Sequence, residues 1–177
     1  MIGNTTLVNY GIQNDKSDYR AHVCVNAHTV YVFKTSNAQA IILSKVFKKV
    51  PVFTGNIKTA VGYIVPYQEI VGIAEVMIPD RWMEKIEFSE YETPTMKGNK
   101  AVTIVKGLLK KGMFPIVTLG KEIKDKDLQI AGVDIIVNVS LNIQVKCDYR
   151  GGGEKNYPQT TGNVFLQIAE CNPYRST

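Results

Sequence analysis

Two stretches near the C-terminal end, Gly132–Val137 (GVDIIV) and Leu141–Asp148 (LNIQVKCD), determine the fold that the sequence predicts. Both are rich in β-branched and other apolar residues, and the second alternates polar and apolar side chains as strands do. The tight connection between them favours an antiparallel pair. Gln144 and Lys146 then project from one face of the second strand, and Asp134 stands at the start of the first. We therefore expect Asp134, Gln144 and Lys146 to converge at one edge of a sheet.

The segment before this strand pair predicts a helix and one more strand. Thr95 can cap a helix over Lys97–Lys111, which has apolar residues on one face and Gly112 where a C-terminal cap belongs. Phe114–Leu119 is typical of a strand, and the charged residues 121–127 are typical of a turn. The predicted order is therefore helix, strand, turn, strand, strand.

The three polar side chains suit hydrolysis of a phosphodiester bond. The Asp134 carboxylate is a hard oxygen ligand of the kind that Mg²⁺ prefers, and the Gln144 carbonyl oxygen can bind the same ion. A metal there would polarise a phosphate and acidify a bound water, while Lys146 would stabilise negative charge. The alternative is that Asp134 is a turn acid and that Gln144 and Lys146 are ordinary solvent-facing strand residues.

Asp134 followed by Gln144-Val145-Lys146 resembles the D…(D/E/Q)-x-K signature of the PD-(D/E)XK nuclease superfamily. That superfamily includes restriction enzymes, homing endonucleases and Holliday-junction resolvases, and the resemblance runs from Thr95 to Ile168. It implies an α/β (α+β) fold of the restriction-endonuclease type, with a mixed sheet flanked by helices. It further implies an endonuclease that cuts DNA with Mg²⁺ or Mn²⁺, and a homo-oligomer, since each strand of a duplex requires its own site.

The sequence departs from the family at one position. Family members usually carry a glutamate early in the first helix, and Lys100 stands near that place here; Glu90 and Glu92 are the nearby acids that can take over the role. Two other functions therefore stay open. One is a nucleic-acid-binding protein of the same fold without catalysis, and the other is a structural or assembly protein of a virus or mobile element.

A glycine-rich loop follows the predicted strand that carries Lys146. Glycine permits close approach of a phosphate chain to the backbone, although glycine-rich hairpin tips are also common without ligands. We predict contact with nucleic acid for the first residues of this loop, Arg150, Gly151 and Gly152.

The first half of the chain predicts mostly β structure. We expect a hairpin over Ala21–Phe33, a helix over Ser36–Lys49 that begins with a capping box, and β-like segments over Val52–Met77. The sequence thus predicts a β-rich N-terminal region at residues 1–93, used for docking or oligomerisation, and a nuclease-like core at residues 94–177.

Charge and composition narrow the class of partner and the compartment. A net charge of +5, from 21 Lys and Arg against 16 Asp and Glu, favours a polyanion such as DNA; a merely basic, solvated surface is the alternative. The 3 cysteines include no C-x-x-C pair, so we expect reduced thiols rather than a zinc site or a disulfide framework. The N-terminus lacks the pattern of a secretory signal, and no apolar run approaches the ~18 residues of a membrane span. We expect a soluble, cytoplasmic protein with no membrane contact.

Overall fold

Alternating polar and apolar residues form the strands of two sheets, and the apolar-periodic segments between them form helices. The structure is a computed structural model that describes residues 7–8, 12, 15–79, 86–138, 140–156 and 159–171. The strands in these ranges are β1 (Leu7–Val8), β2 (Tyr19–Cys24), β3 (Thr29–Lys34), β4 (Lys48–Thr54), β5 (Ile57–Pro66), β6 (Val76–Pro79), β7 (Ile116–Leu119), β8 (Ile135–Val137), β9 (Leu141–Asp148) and β10 (Asn163–Cys171). The helices are α1 (Thr35–Ser44), α2 (Tyr67–Ile73), α3 (Pro94–Lys111) and α4 (Lys126–Ile130), with one 3-10 turn at Gly120–Glu122.

The larger sheet has six strands in the order β6-β3-β2-β9-β8-β7. The antiparallel pairing of β8 with β9 confirms the sequence prediction. β2 and β9 are parallel, whereas the other neighbouring strands of this sheet are antiparallel. The parallel register sets Arg20 beside Gln144 and His22 beside Lys146. A mixed sheet with helices is therefore present, and the α+β class is confirmed.

The smaller sheet has four antiparallel strands in the order β1-β10-β5-β4. β10 comes from the last part of the chain and pairs with β5 from the first half, as β9 pairs with β2 in the larger sheet. Each sheet thus contains strands from both sides of residue 94.

One face of the larger sheet packs against α3. Ala21, Val23, Ile143 and Val145 of the central strands are buried there against an apolar stripe of the helix formed by Ala101, Ile104 and Val105. This helix was predicted, but it begins one turn earlier than expected. Thr93 rather than Thr95 is the cap, accepting a hydrogen bond from the Met96 backbone N–H, and Pro94 occupies the first turn.

The opposite face of the larger sheet packs against the other parts of the chain. Cys24, Tyr31 and Phe33 lie in a second core with residues of α1, α2, β5 and β10, namely Ala38, Ile42, Val65, Ile70, Val164 and Leu166. The central strands β2 and β3 are therefore covered on both faces, so polar side chains that they carry on the second face are enclosed.

Several predictions for the first half need correction. The hairpin is confirmed as β2 and β3, but α1 ends at Ser44 rather than Lys49, and the next residues form β4. The predicted capping box does not form, because the helix begins at Thr35 with Lys34 as its N-cap, which places Ser36 inside the first turn. The Gln39 amide donates to the Ile12 carbonyl oxygen at 2.8 Å. α2 was not predicted. Among the described residues, no helix is both long and apolar enough to cross a membrane.

Candidate functional site at the start of β8 and β9

Asp134 lies just before β8 and its carboxylate extends the pairing of that strand with β9. Its Oδ2 accepts a hydrogen bond of 2.7 Å from the backbone N–H of Val145, and its own N–H donates to the Ile143 carbonyl oxygen at 3.0 Å. The side chain thus takes the place of the next main-chain acceptor in the ladder. Burial raises the pKa of Asp134, while the hydrogen bond from Val145 and the positive charge of Lys146 oppose that rise.

Gln144 is enclosed beside the turn that leads to Asp134. The residue is only 1% exposed, and its Nε2 lies against Gly132, where an added Cβ would be 2.1 Å from that nitrogen. Gly132 has φ +75°, a conformation that favours glycine. The Gln144 Oε1 has no hydrogen-bond partner within the part of the chain that the structure describes. A buried carbonyl oxygen without a donor among the described residues therefore lies near the turn before Asp134, closed off from solvent.

Lys146 is half-buried on the same face of β9 as Gln144. Its ammonium charge lowers the pKa of Asp134 and that of His22, its neighbour in the parallel register. Lys146 thus lies within electrostatic reach of Asp134, and Gln144 lies beside Gly132. Both project from the face of β9 opposite to Ile143 and Val145, which pack against α3. The predicted residues differ in exposure, because Asp134 is only partly buried whereas Gln144 is closed off from solvent.

A buried ion pair, which the sequence did not reveal, stands next to this group. The Arg20 Nε donates to Asp15 Oδ2 at 2.5 Å, and both side chains are fully buried. Burial lowers the pKa of Arg20, and the Asp15 and Asp134 carboxylates act against that shift. Both Nη atoms of Arg20 lack a partner among the described residues. The Asp134 neighbourhood therefore contains two carboxylates and two cations.

His22 is the second enclosed polar residue of β2. The residue is 1% exposed, its ring centroid lies 5.2 Å from that of Phe33, and neither ring nitrogen has a partner in the described ranges. Burial lowers the pKa of His22 well below its ordinary value, and the charges of Arg20 and Lys146 lower it further. His22 is therefore neutral at physiological pH.

A cleft of about 490 Å³ gives access to Asp134 from the side of α3. Lys106 of α3 and Lys121 of the 3-10 turn stand on its walls. The remaining lining residues are Asn99, Val102, Thr103, Leu119 and Gly120. Neither Gln144 nor Lys146 lines this cleft. The carboxylate region thus faces a basic, solvent-open groove, and the amide lies behind it.

The acids near the start of α3 are engaged with cations. Glu92 forms an ion pair with Lys100, which also donates to the Glu87 carbonyl oxygen. Glu90 accepts from Arg150 Nη2 at 3.3 Å. Neither Glu90 nor Glu92 is among the charges that shift the pKa of Asp134. The position where a second carboxylate was expected is therefore occupied by the Lys100–Glu92 pair.

The glycine-rich loop after β9 is packed into the protein. Gly151 and Gly152 are buried; the Gly151 N–H donates to Asp148 Oδ1 at 2.6 Å, and a Cβ on Gly152 would lie 2.9 Å from Cys24 Sγ. This close packing explains the glycines without a ligand. Arg150, by contrast, is exposed and can still contact a partner.

Asp134 and the Gln144 Oε1 offer a carboxylate and a carbonyl oxygen, the hard donors that Mg²⁺ and Mn²⁺ accept. Among the described residues, no group of three or more His, Cys, Asp or Glu side chains is placed to hold a metal ion.

Comparison of the chain with known protein families, with curated proteins and with solved structures finds no match.

Proposed function

We propose that this protein is a metal-dependent endonuclease that hydrolyses phosphodiester bonds in DNA, with Asp134 at the centre of its site. The observation that carries the proposal is the position of this partly buried carboxylate. It lies between β8 and β9, within the electrostatic reach of Lys146, and it faces a cleft with lysines on its walls. In such a cleft the carboxylate can bind a metal cation, and the lysines can bind the negatively charged phosphates of the substrate.

Asp134 would hold the metal ion, which we take to be Mg²⁺ or Mn²⁺, and Gln144 would add its carbonyl oxygen if a movement exposes its enclosed side chain to the same ion. Their donor set fits such an ion, because Mg²⁺ commonly takes one or two carboxylates and keeps several waters and phosphate oxygens. The unpartnered Gln144 Oε1 supports the assignment, since a buried acceptor without a donor is costly unless something else satisfies it. When bound, the ion supplies polarisation of the phosphate and a more acidic water.

The remaining residues bind and orient the substrate. The Lys146 ammonium stabilises the negative charge that develops on the phosphate in the transition state. Lys106 and Lys121, on the walls of the cleft, bind phosphates of a chain that approaches Asp134 from the side of α3, whereas Lys146 acts from the opposite face of β9. The β8–β9 ladder and the close contact of Gln144 with Gly132 keep the donors in place, as a preorganised site requires. The element order α3, β7, β8, β9 supports a fold of the restriction-endonuclease type for this part of the chain.

The experiment is a plasmid-nicking assay with Mg²⁺ or Mn²⁺, comparing the wild type with Lys146→Ala. We expect a loss of about 10²-fold or more in the cleavage rate, the effect of removing one electrostatic contact to a developing charge. Lys110→Ala is the matched control, because Lys110 is an exposed lysine of α3 that does not line the cleft. Cleavage that survives in Lys146→Ala would remove this site from the reaction.

A second function is favoured by the Lys100–Glu92 ion pair, which stands where the family usually has a carboxylate. With one carboxylate fewer, the same arrangement would bind nucleic acid without cutting it. Wild-type protein that binds DNA but nicks no plasmid with either metal would support this alternative and overturn the nuclease.

A further inference from the structure

The hairpin of β4 and β5 extends beyond the sheet to which it belongs. β10 pairs with β5 from Ala60 onwards, so the cross-strand pairs Phe53–Lys58 and Thr54–Ile57 lie, among the described residues, in a ribbon of two strands. Pro51–Phe53 and Gly55–Lys58 are all exposed. We call residues 48–58 the arm. Because its tip packs against nothing else in the described part of the protein, the arm does not contribute to either core.

The arm is strongly basic. It carries Lys48, Lys49 and Lys58, and the sequence has no Asp or Glu between the first and the last of them. All three lysines are exposed, and none forms an ion pair within the described residues. Lys45, just before the arm, differs because it is bound by Glu69 at 2.6 Å. The arm thus presents three ammonium groups to an external partner.

An aromatic side chain accompanies one of these charges, Lys58, near the tip, whereas Lys48 and Lys49 lie at the base of the arm opposite Ile64 and Tyr63. Phe53 is 56% exposed, and its cross-strand partner is Lys58. Ile57, 43% exposed, lies in the neighbouring pair. Directly opposed residues of an antiparallel pair share one face, so a bare ring and an ammonium group stand side by side. An aromatic face beside a cation is the combination that binds the base and the phosphate of an unpaired nucleotide.

We infer that the arm binds nucleic acid, with its lysines on the phosphates and Phe53 stacked on an unpaired base. The inference deepens the proposed function, because it names the part of the chain that docks DNA and a preference for DNA with unpaired bases. Charge favours this occupant over a second copy of the chain, since two copies of the arm would bring like charges together. The arm lies outside the Asp134 cleft, so its binding does not depend on catalysis.

The test is fluorescence anisotropy in EDTA, with a labelled single-stranded oligonucleotide and with the matching duplex, over a series of salt concentrations. We expect the wild type to bind the single strand more tightly than the duplex. In Lys48→Ala/Lys49→Ala/Lys58→Ala, the slope of log affinity against log salt should fall by about 1 for each phosphate that a lysine no longer neutralises. Phe53→Ala should weaken single-strand binding by about 5- to 150-fold and change duplex binding little.

The control is Lys110→Ala/Lys124→Ala/Lys126→Ala, which removes the same charge at exposed positions outside the arm. An equal loss of affinity in this control, or unchanged affinity in the arm variants, would overturn the inference. A change in native mass with unchanged DNA affinity would make the arm a subunit contact instead. Because the anisotropy assay contains no metal, its result does not depend on the nuclease proposal. Plasmid nicking tests the role of Lys146, and oligonucleotide binding tests the role of the arm.

Discussion

The start of β8 and β9 and the arm use similar residues in opposite surroundings. At the start of β8 and β9, Asp134 is partly buried, Arg20 is fully buried, and burial shifts the pKa of both. In the arm, the lysines and Phe53 are exposed and belong to neither core of the described part of the chain. A charge in the first region is tied to the stability of the protein, and a charge in the second is not. We therefore expect substitutions to separate the two regions by their effect on unfolding.

The difference has a physical origin. An ion removed from water must recover its solvation energy from neighbours, whereas an exposed ammonium keeps its water and loses little when it is removed. Buried charges that are only partly satisfied, such as Arg20 with two unpartnered Nη atoms, are typical of regions kept for function. Exposed charges without an ion pair among the described residues, as in the arm, are typical of surfaces that meet a polyanion.

The largest expected effect comes from breaking the Arg20–Asp15 pair. Arg20→Ala should reduce the free energy of unfolding by about 3 to 5 kcal/mol, because it leaves the Asp15 carboxylate buried without its cation. Chemical denaturation measures this loss. The control is the double variant Asp15→Asn/Arg20→Met, which removes both charges and keeps an acceptor for the Ser17 N–H. It should recover most of the stability, and a double variant as unstable as Arg20→Ala would show that the pair itself is not the cause.

The next largest effect is the loss of unfolding free energy when a glycine in each region is replaced by alanine. Gly132 and Gly55 both have positive φ, but a Cβ on Gly132 would meet the Gln144 amide, whereas a Cβ on Gly55 at the tip of the arm would meet nothing within 4 Å. Gly55→Ala should cost about 1 to 2 kcal/mol from backbone strain alone. Gly132→Ala should cost about 2 to 5 kcal/mol, because overpacking adds to that strain.

Combining Gly132→Ala with Gln144→Ala sharpens this comparison. Removing the amide opens the space that the new methyl group needs, so the cost of Gly132→Ala should fall towards that of Gly55→Ala in the same denaturation experiment. Equal costs of the two glycine substitutions in the wild-type background would mean that Gln144 does not press on the turn before Asp134.

The smallest effect concerns the ionisation of Asp134. Because burial raises its pKa above 3.8 in the folded protein, the native state binds more protons than the unfolded state, and stability falls as pH rises through this window. Asp134→Asn retains an acceptor for the Val145 N–H but carries no charge. Its thermal midpoint should exceed that of the wild type at pH 7, and the two should approach each other as the pH falls below the unfolded pKa. A less stable Asn variant at pH 7 would indicate that the attraction of the Asp134 carboxylate to Lys146 and Arg20 outweighs the cost of burying its charge.

Local patterns predicted the elements that carry the site. The alternation from Leu141 to Asp148 gave the bounds of β9, and it placed Ile143 and Val145 in the core against a helix that the apolar spacing of α3 also predicted. The weakness lay at the ends of elements. Val46 and Phe47 continue the apolar pattern of α1, yet the chain leaves the helix at Ser44 and enters an edge strand. Tyr67–Ile73 has the composition of a strand and forms α2 after Pro66.

Long-range pairing was beyond the reach of such patterns. Arg20 and His22 alternate with Ala21 and Val23 just as Gln144 and Lys146 alternate with their neighbours, but nothing local shows that β2 lies beside β9. The enclosed surroundings of Gln144 follow from the second core, which β5, β10 and the helices α1 and α2 build together. Asp134 and Lys146 could thus be predicted, and the neighbouring Arg20 could not.

The parallel pairing of β2 with β9 also has a consequence for how the chain reaches its folded state. Asp18 and Asn142, which bond to each other at the start of this pairing, are 124 positions apart in sequence. Contacts of such separation form slowly, since a long loop must close before they contribute. On the ribosome, the edge of β2 that pairs with β9 stays open until residues 141–148 have emerged. We therefore expect the guanidinium of Arg20 to remain hydrated until β9 has been synthesised.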